Sequence, residues 1–164
     1  MGKLFRLGAV LREMAAPSTP ASGTMHLYGA TDHRPYVMND GGQVSRLDNT
    51  MTMLFSDQGV LAVGAGVMAL PILFPGEIEA VGIRVTTAPT GATLIVDVNK
   101  NGTTIYGTQA NRPTIAISGT SANGGAMSVV TLASGDYLTV DIDQVGSTVA
   151  GSNLVAAVMI RRTG

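Results

Sequence analysis

From residue 77 to residue 162 short apolar runs recur about every ten residues, each closed by a turn signal, with no helical spacing between them. The runs are Glu77–Thr87, Ala92–Asn99, Thr103–Thr108, Pro113–Ser118, Ala126–Leu132, Tyr137–Asp143 and Asn153–Arg162. Pro89-Thr90-Gly91, Asn101-Gly102, Gly119–Gly125, Ser134-Gly135-Asp136 and Gly146–Gly151 separate them. This rhythm is that of a sandwich or barrel of strands and excludes a βαβ architecture. Alternation gives the faces: Leu94, Val96 and Val98 point one way, as do Leu138, Val140 and Ile142, and again Leu154, Ala156, Val158 and Ile160. In 77–87 the apolar parity changes between Ile78 and Val81, which predicts a bulge near Ala80.

Ahead of these runs, Gly59–Gly76 carries no charge over a length that could cross a membrane as a helix. Gly59, Gly64, Gly66, Pro71 and Pro75 break that helix, and no basic cluster flanks it. The segment is therefore expected to be extended and buried, in the core or between subunits, without membrane insertion. Its apolar residues Val60, Leu61, Val63, Val67, Met68, Leu70, Ile72, Leu73 and Phe74 form the predicted subunit interface. Part of it supplies an eighth strand, and eight strands suit an antiparallel jelly-roll sandwich over residues 59–164.

The chain ahead of Gly59 reads differently. In 1–16, Leu4, Leu7, Leu11 and Met14 recur at 3-4-3 spacing, predicting a short docking or oligomerisation helix that Pro17 ends. Arg6, Arg12 and Glu13 interrupt any secretory apolar core. Residues 17–58 form an attachment module: a linker, PSTPASGT, then a small β-meander from Met25–Tyr28, Pro35–Met38 and Gln43–Leu47, with a hairpin signal at Asn39-Asp40-Gly41-Gly42. The expectation is an all-β chain with three parts, 1–16, 17–58 and 59–164.

Composition bounds the chemistry. A net charge of −1 supplies no basic field for nucleic acid. Cysteine is absent, which removes disulfides, thiolate ligands and thiol nucleophiles. Charged residues make up 13% of the chain, against about 25% in an ordinary domain. So few charges leave apolar surface to be covered by other subunits.

No catalytic motif assembles. Asp97-Val-Asn99-Lys-Asn101-Gly102 matches the start of a calcium loop, but Thr108 stands where a bidentate Glu belongs, and Val96 and Val98 alternate as a strand through it. Gly64-Ala-Gly66-Val-Met-Ala69 fits a dinucleotide fingerprint formally, yet Pro71 and Pro75 forbid the helix it needs. His26 and His33 are the only imidazoles, and with Asp32 they lack the spacing of a metal site. Asp97, Asp141 and Asp143 fall on the outward parity of strands, where an acid–base pair and a solvated face are both open readings. Arg161-Arg162 closes the last strand as a charged rim or a phosphate contact. The expectation is a protein that is no enzyme and needs no cofactor.

A family resemblance joins these observations. Residues 89–106 (PTGATLIVDVNKNGTTIY), Arg112-Pro-Thr-Ile and 132–147 (LASGDYLTVDIDQVGS) resemble the jelly-roll domain of structural proteins of tailed bacteriophages: minor tail proteins, fibre heads and capsid-surface proteins. Pro17–Asp48 is similar to the short module that precedes such domains in phage fibres. The two cover about 17–48 and 77–162 of the chain. The resemblance implies a homotrimer in the virion, assembled in the bacterial host cytoplasm and seated on major capsid or tail proteins; it carries over no catalytic or ligand residue. The lack of a fibre shaft favours a capsid decoration protein or short spike attached through its N-terminal segment. The alternative is a tail-tip module whose loops at Gly119–Gly125 and Gly146–Gly151 recognise a host-surface glycan.

Overall fold

The computed structural model describes residues 13–31, 34–47, 49–66 and 69–163. It is all-β apart from one 3-10 turn at Gln109–Asn111, and the strands form three sheets. The chain divides into two compact units, Met1–Asn49 and Thr50–Gly164.

The first unit holds β1 (Glu13–Met14), β2 (Met25–Ala30), β3 (Pro35–Asn39) and β4 (Val44–Arg46), paired in that order. β2, β3 and β4 form the predicted meander. Its hairpin closes on Asn39, whose side-chain Oδ1 accepts the amides of Gly41 and Gln43 while Gly42 takes the positive φ the turn needs. Tyr28 and Tyr36 sit directly opposite each other with ring centroids 5.9 Å apart, and Tyr28 and Met38 are buried. Such a cross-strand aromatic pair adds about 0.5–1.5 kcal/mol beyond its burial. The predicted linker is held to this sheet: the Gly23 amide donates to Asp40 Oδ2, and Pro20 is buried.

The predicted helix over 1–16 needs correction at its end. Glu13–Met14 is a strand, parallel to Gly29–Ala30 of β2. The free edge of β2 offers ladder groups there, and Pro17 biases the backbone before it toward extended conformations. Met14 is exposed, while Leu4, Leu7 and Leu11 lie outside the described residues.

The second unit contains β5 (Thr50–Val60), β6 (Ala69–Pro71), β7 (Gly76–Arg84), β8 (Leu94–Lys100), β9 (Thr103–Thr104), β10 (Thr114–Ile115), β11 (Ser121–Asn123), β12 (Thr131–Leu132), β13 (Tyr137–Gln144) and β14 (Ser152–Arg162). One antiparallel sheet runs β11-β7-β14-β5, with β12 also on β7; the other runs β10-β8-β13-β6, with β9 also on β8. Their inner faces meet in one core. The three alternating rows predicted from sequence all point into it, each of their residues no more than 2% exposed, and Phe55, Ile78, Val81 and Ile83 join them. At about 25 cal/mol per Å² of apolar surface, this burial is the main favourable term for the unit.

The predicted bulge is present on β7: Met159 faces Ala80, but the next residue, Ile160, faces Ile78, so Glu79 is the extra residue. It swings Ile78 back to the core side. The boundary predicted at 58/59 moves: β5 does not belong to an attachment module but pairs along β14 from Thr50 to Val60 and begins the second unit.

The charge-free segment leaves β5 and crosses from one sheet to the other. Leu61 donates its amide to Gly151, Gly64 bridges Ile142, and Ile72 donates its amide to Asp136. Leu61 and Ile72, expected at a subunit interface, are core residues of the protomer itself, because these bonds turn their side chains between the sheets.

Candidate assembly surface

The polar residues that could carry chemistry lie on the outer face of the β8–β13 sheet, where alternation put them. Asp97 stands opposite Asp141 across the strand pair. Each carboxylate is occupied locally. Asp97 accepts from Thr104 Oγ1 and its neighbour's amide at Val98; Asp141 accepts from the Asn99 amide and the Gly66 backbone; Asp143 is paired with Arg112. Burial pushes the Asp97 carboxyl above its ordinary value against the pull of the Thr104 and Val98 hydrogen bonds, and Asp143 adds to the rise. The arrangement knits the strands together, each of the three carboxylates having its own local donors.

The calcium-like run is divided in the same way. Asp97 and Asn99 are on the strand, whereas Asn101 and Gly102 take positive φ in the hairpin turn. Asn101 there donates to Asp136 and accepts the Tyr137 amide. The backbone amide of Ala133, Asn101 and Lys100 all donate to Asp136, holding its carboxyl down at about 2. In Gly64-Ala-Gly66 only Gly64 bridges a strand, at Ile142, Ala65 lies in a bend and Gly66 is at positive φ, and the next described element is the strand β6. His26 is paired opposite Met38 in β2, while Asp32 and His33 lie outside the described residues. Among the described residues no group of three acidic or histidine side chains could hold a metal ion. No helix among them is long and apolar enough to cross a membrane.

The candidate glycan loops are closed on themselves. Ser121–Asn123 is strand β11 on β7, and Gly146–Gly151 is fastened by the Thr90–Val149 bridge so tightly that a Cβ on Gly146 would overlap the Val149 carbonyl. Of the four aromatic residues in the second unit, Tyr106 and Phe55 are buried and Phe74 packs against the core beneath the Arg162 guanidinium. Only Tyr137 presents an exposed ring.

What is exposed is aliphatic. Among the described residues of the second unit, the four most exposed large apolar side chains are Val60 at 82%, Leu73 at 77%, Val63 at 64% and Leu54 at 60%. All four fall between residues 50 and 76, a stretch whose single charged residue is Asp57. Leu70 and Phe74 pack partly against the core, and Val67 and Met68 lie outside the described residues. Of the predicted interface, then, Val60, Val63 and Leu73 are on the surface. Leu54 joins them without having been expected, although Met51, Met53 and Phe55 alternate with Thr50 and Thr52 in the strand that carries it.

Arg161 and Arg162 end β14 in local contacts. Arg161 binds Glu77 and Glu79 across the sheet, and Arg162 lies 5.6 Å from the Phe74 ring centroid. In comparisons with known proteins, no family model, no curated protein and no solved structure matches the chain.

Proposed function

We propose that the protein is a non-enzymatic structural component of a tailed-phage virion, a homotrimeric jelly roll displayed on the particle and attached through its N-terminal segment. The observation that carries the reading is strand order. Counting β11 with β12, and β9 with β10, as one position each gives eight positions in two sheets, β5-β14-β7-β11 and β6-β13-β8-β10. Along the chain the positions alternate between the sheets except that β8 and β9/β10 are neighbours in one sheet, as in a double-sheet jelly roll of two Greek keys.

Three further features support a building block. The carboxylates are spent on local contacts, Asp97 and Asp141 between strands and Asp143 with Arg112 beside the 3-10 turn. The exposed surface of the second unit concentrates aliphatic side chains in one charge-poor stretch. The resemblance of 17–48 and 77–162 to phage virion modules supplies the setting, with major capsid or tail proteins as partners and the host cytoplasm as the place of assembly. Glycan recognition draws little support, since one exposed ring is a poor platform for sugar stacking.

Light scattering on the purified chain tests the assembly. The expected mass is three times the 16.8 kDa of one chain, and a monodisperse species of 16.8 kDa at micromolar concentration overturns the reading. Quantitative gels of purified particles then count copies: hundreds indicate capsid decoration, and a few to a few dozen indicate the tail.

A further inference from the structure

The edges of the second unit's sheets are unequal. β6 and β11 have three residues each, and β9, β10 and β12 two each. Very short edge strands are a usual defence against unwanted strand pairing. β5 departs from this: it is an edge strand of 11 residues, paired only with β14 among the described residues, and it contains no Lys, Arg or Pro. Its far side presents a row of main-chain groups about 37 Å long.

β5 and β6 lie on the same flank, since β10 lies against β11 at the opposite one. Between the sheets on this flank is a small niche, about large enough for one water molecule, lined by Phe55, Ser56, Asp57, Val140, Leu154 and Ala156. Four of the six are core residues and stay almost fully buried, so the niche marks where the two sheets meet at this flank. Val60 and Val63 stand where the chain crosses from β5 toward β6, and Leu54 faces outward from β5 beside Ala157.

We propose that this flank is the seam at which a second copy of the chain docks, contributing hydrogen bonds to the bare edge of β5 and apolar cover to Leu54, Val60 and Val63. Charge and area select that occupant. Residues 50–76 bring a single charge, so an acidic or basic partner finds no counterpart, whereas a charge-poor copy of the same chain does not have to desolvate ions. A flank about 37 Å long and two sheets deep, about 20 Å, offers roughly 700 Å², close to the ~800 Å² per partner of a stable interface. The inference rests on the self-assembly part of the proposed function and specifies where it occurs.

Leu54→Lys and Val60→Lys place charges on the seam at exposed positions; Ile117→Lys, exposed elsewhere, is the control. Sedimentation velocity should show wild type and Ile117→Lys assembled, with the paired seam substitutions raising the dissociation constant at least tenfold. Hydrogen exchange on the wild-type chain, which needs no variant to fold, should slow at least tenfold in peptides of 50–60 on going from dilute to assembled protein. If the chain assembles but the seam variant assembles equally well, or 50–60 exchanges at one rate throughout, the seam is wrong and the trimeric reading stands. A wild-type monomer removes both.

Discussion

Two aspartates of the same hairpin region titrate with opposite consequences. Asp97 has a folded-state pKa raised by burial above its ordinary value of 3.8, so its contribution to stability is full below 3.8 and is lost as pH rises through the raised value. Asp136 is held down to about 2 by donors from Ala133, Asn101 and Lys100; its contribution is present above 3.8 and is lost as pH falls toward 2. Melting temperatures of Asp97→Asn and Asp136→Asn against wild type between pH 2 and pH 7 separate the two. Asp97→Asn should gain on wild type at neutral pH and lose that gain near pH 3.8. Asp136→Asn should be the less stable chain at pH 7 and converge with wild type near pH 2. Parallel curves for all three proteins would refute both assignments. Tyr106 belongs to the same neighbourhood. Its hydroxyl is buried without a hydrogen-bond partner among the described residues, and burial followed by the nearby Asp97 charge pushes the phenol up. A buried orphan hydroxyl is destabilising, so Tyr106→Phe should raise stability by about 1 kcal/mol in chemical denaturation. A Cβ on Gly124 would overlap that hydroxyl, and Gly124→Ala should lose about 1–3 kcal/mol, part of it recovered when Tyr106→Phe is added. Strictly additive effects in that cycle would show that the two groups do not touch.

At the level of elements, legibility followed the period-2 signal. β8, β13 and β14 announced their inward faces because their apolar residues alternate without interruption, and the bulge in β7 was visible as a break in parity. The Asn101-Gly102 turn was readable because only a few residue types tolerate the positive φ that both positions adopt. β5 was harder. Met51, Met53 and Phe55 do alternate, but Leu54 fills an outward position and blurs the pattern, and the chain runs into a charge-free stretch with no turn between them. The short strands β9, β10 and β12 are fragments of longer predicted runs. Long-range bonds claim the remaining residues: Ser128 and Val129 donate to Ile105, and Val130 accepts from Ile78. Such bonds depend on sheet partners far along the chain, which a local pattern does not contain. The exposed aliphatic surface was legible in part. Lack of charge marked 59–76, but only the crossing between the sheets sorts Leu61 and Ile72 inward from Val60, Val63 and Leu73 outward.

For the whole molecule, division into two units has a consequence for both stability and assembly. Residues 50–164 contain both facing sheets and every residue of their shared core, so the unit carries its own hydrophobic driving force. The smaller unit has, among its described residues, a four-stranded sheet with two buried large apolar side chains, Tyr28 and Met38, and chains of about 40 residues without disulfide or metal seldom fold alone. A fragment of residues 50–164 should therefore unfold cooperatively, with a melting temperature close to the main transition of the full chain, while a fragment of residues 13–49 should show no cooperative transition. The proposed seam lies entirely within the second unit, so the larger fragment should also keep the oligomeric state of the full chain in sedimentation. If it folds but becomes monomeric, self-association resides in Met1–Asn49, where the Leu4, Leu7, Leu11 and Met14 stripe is placed by sequence, and the flank of β5 is a surface for something else.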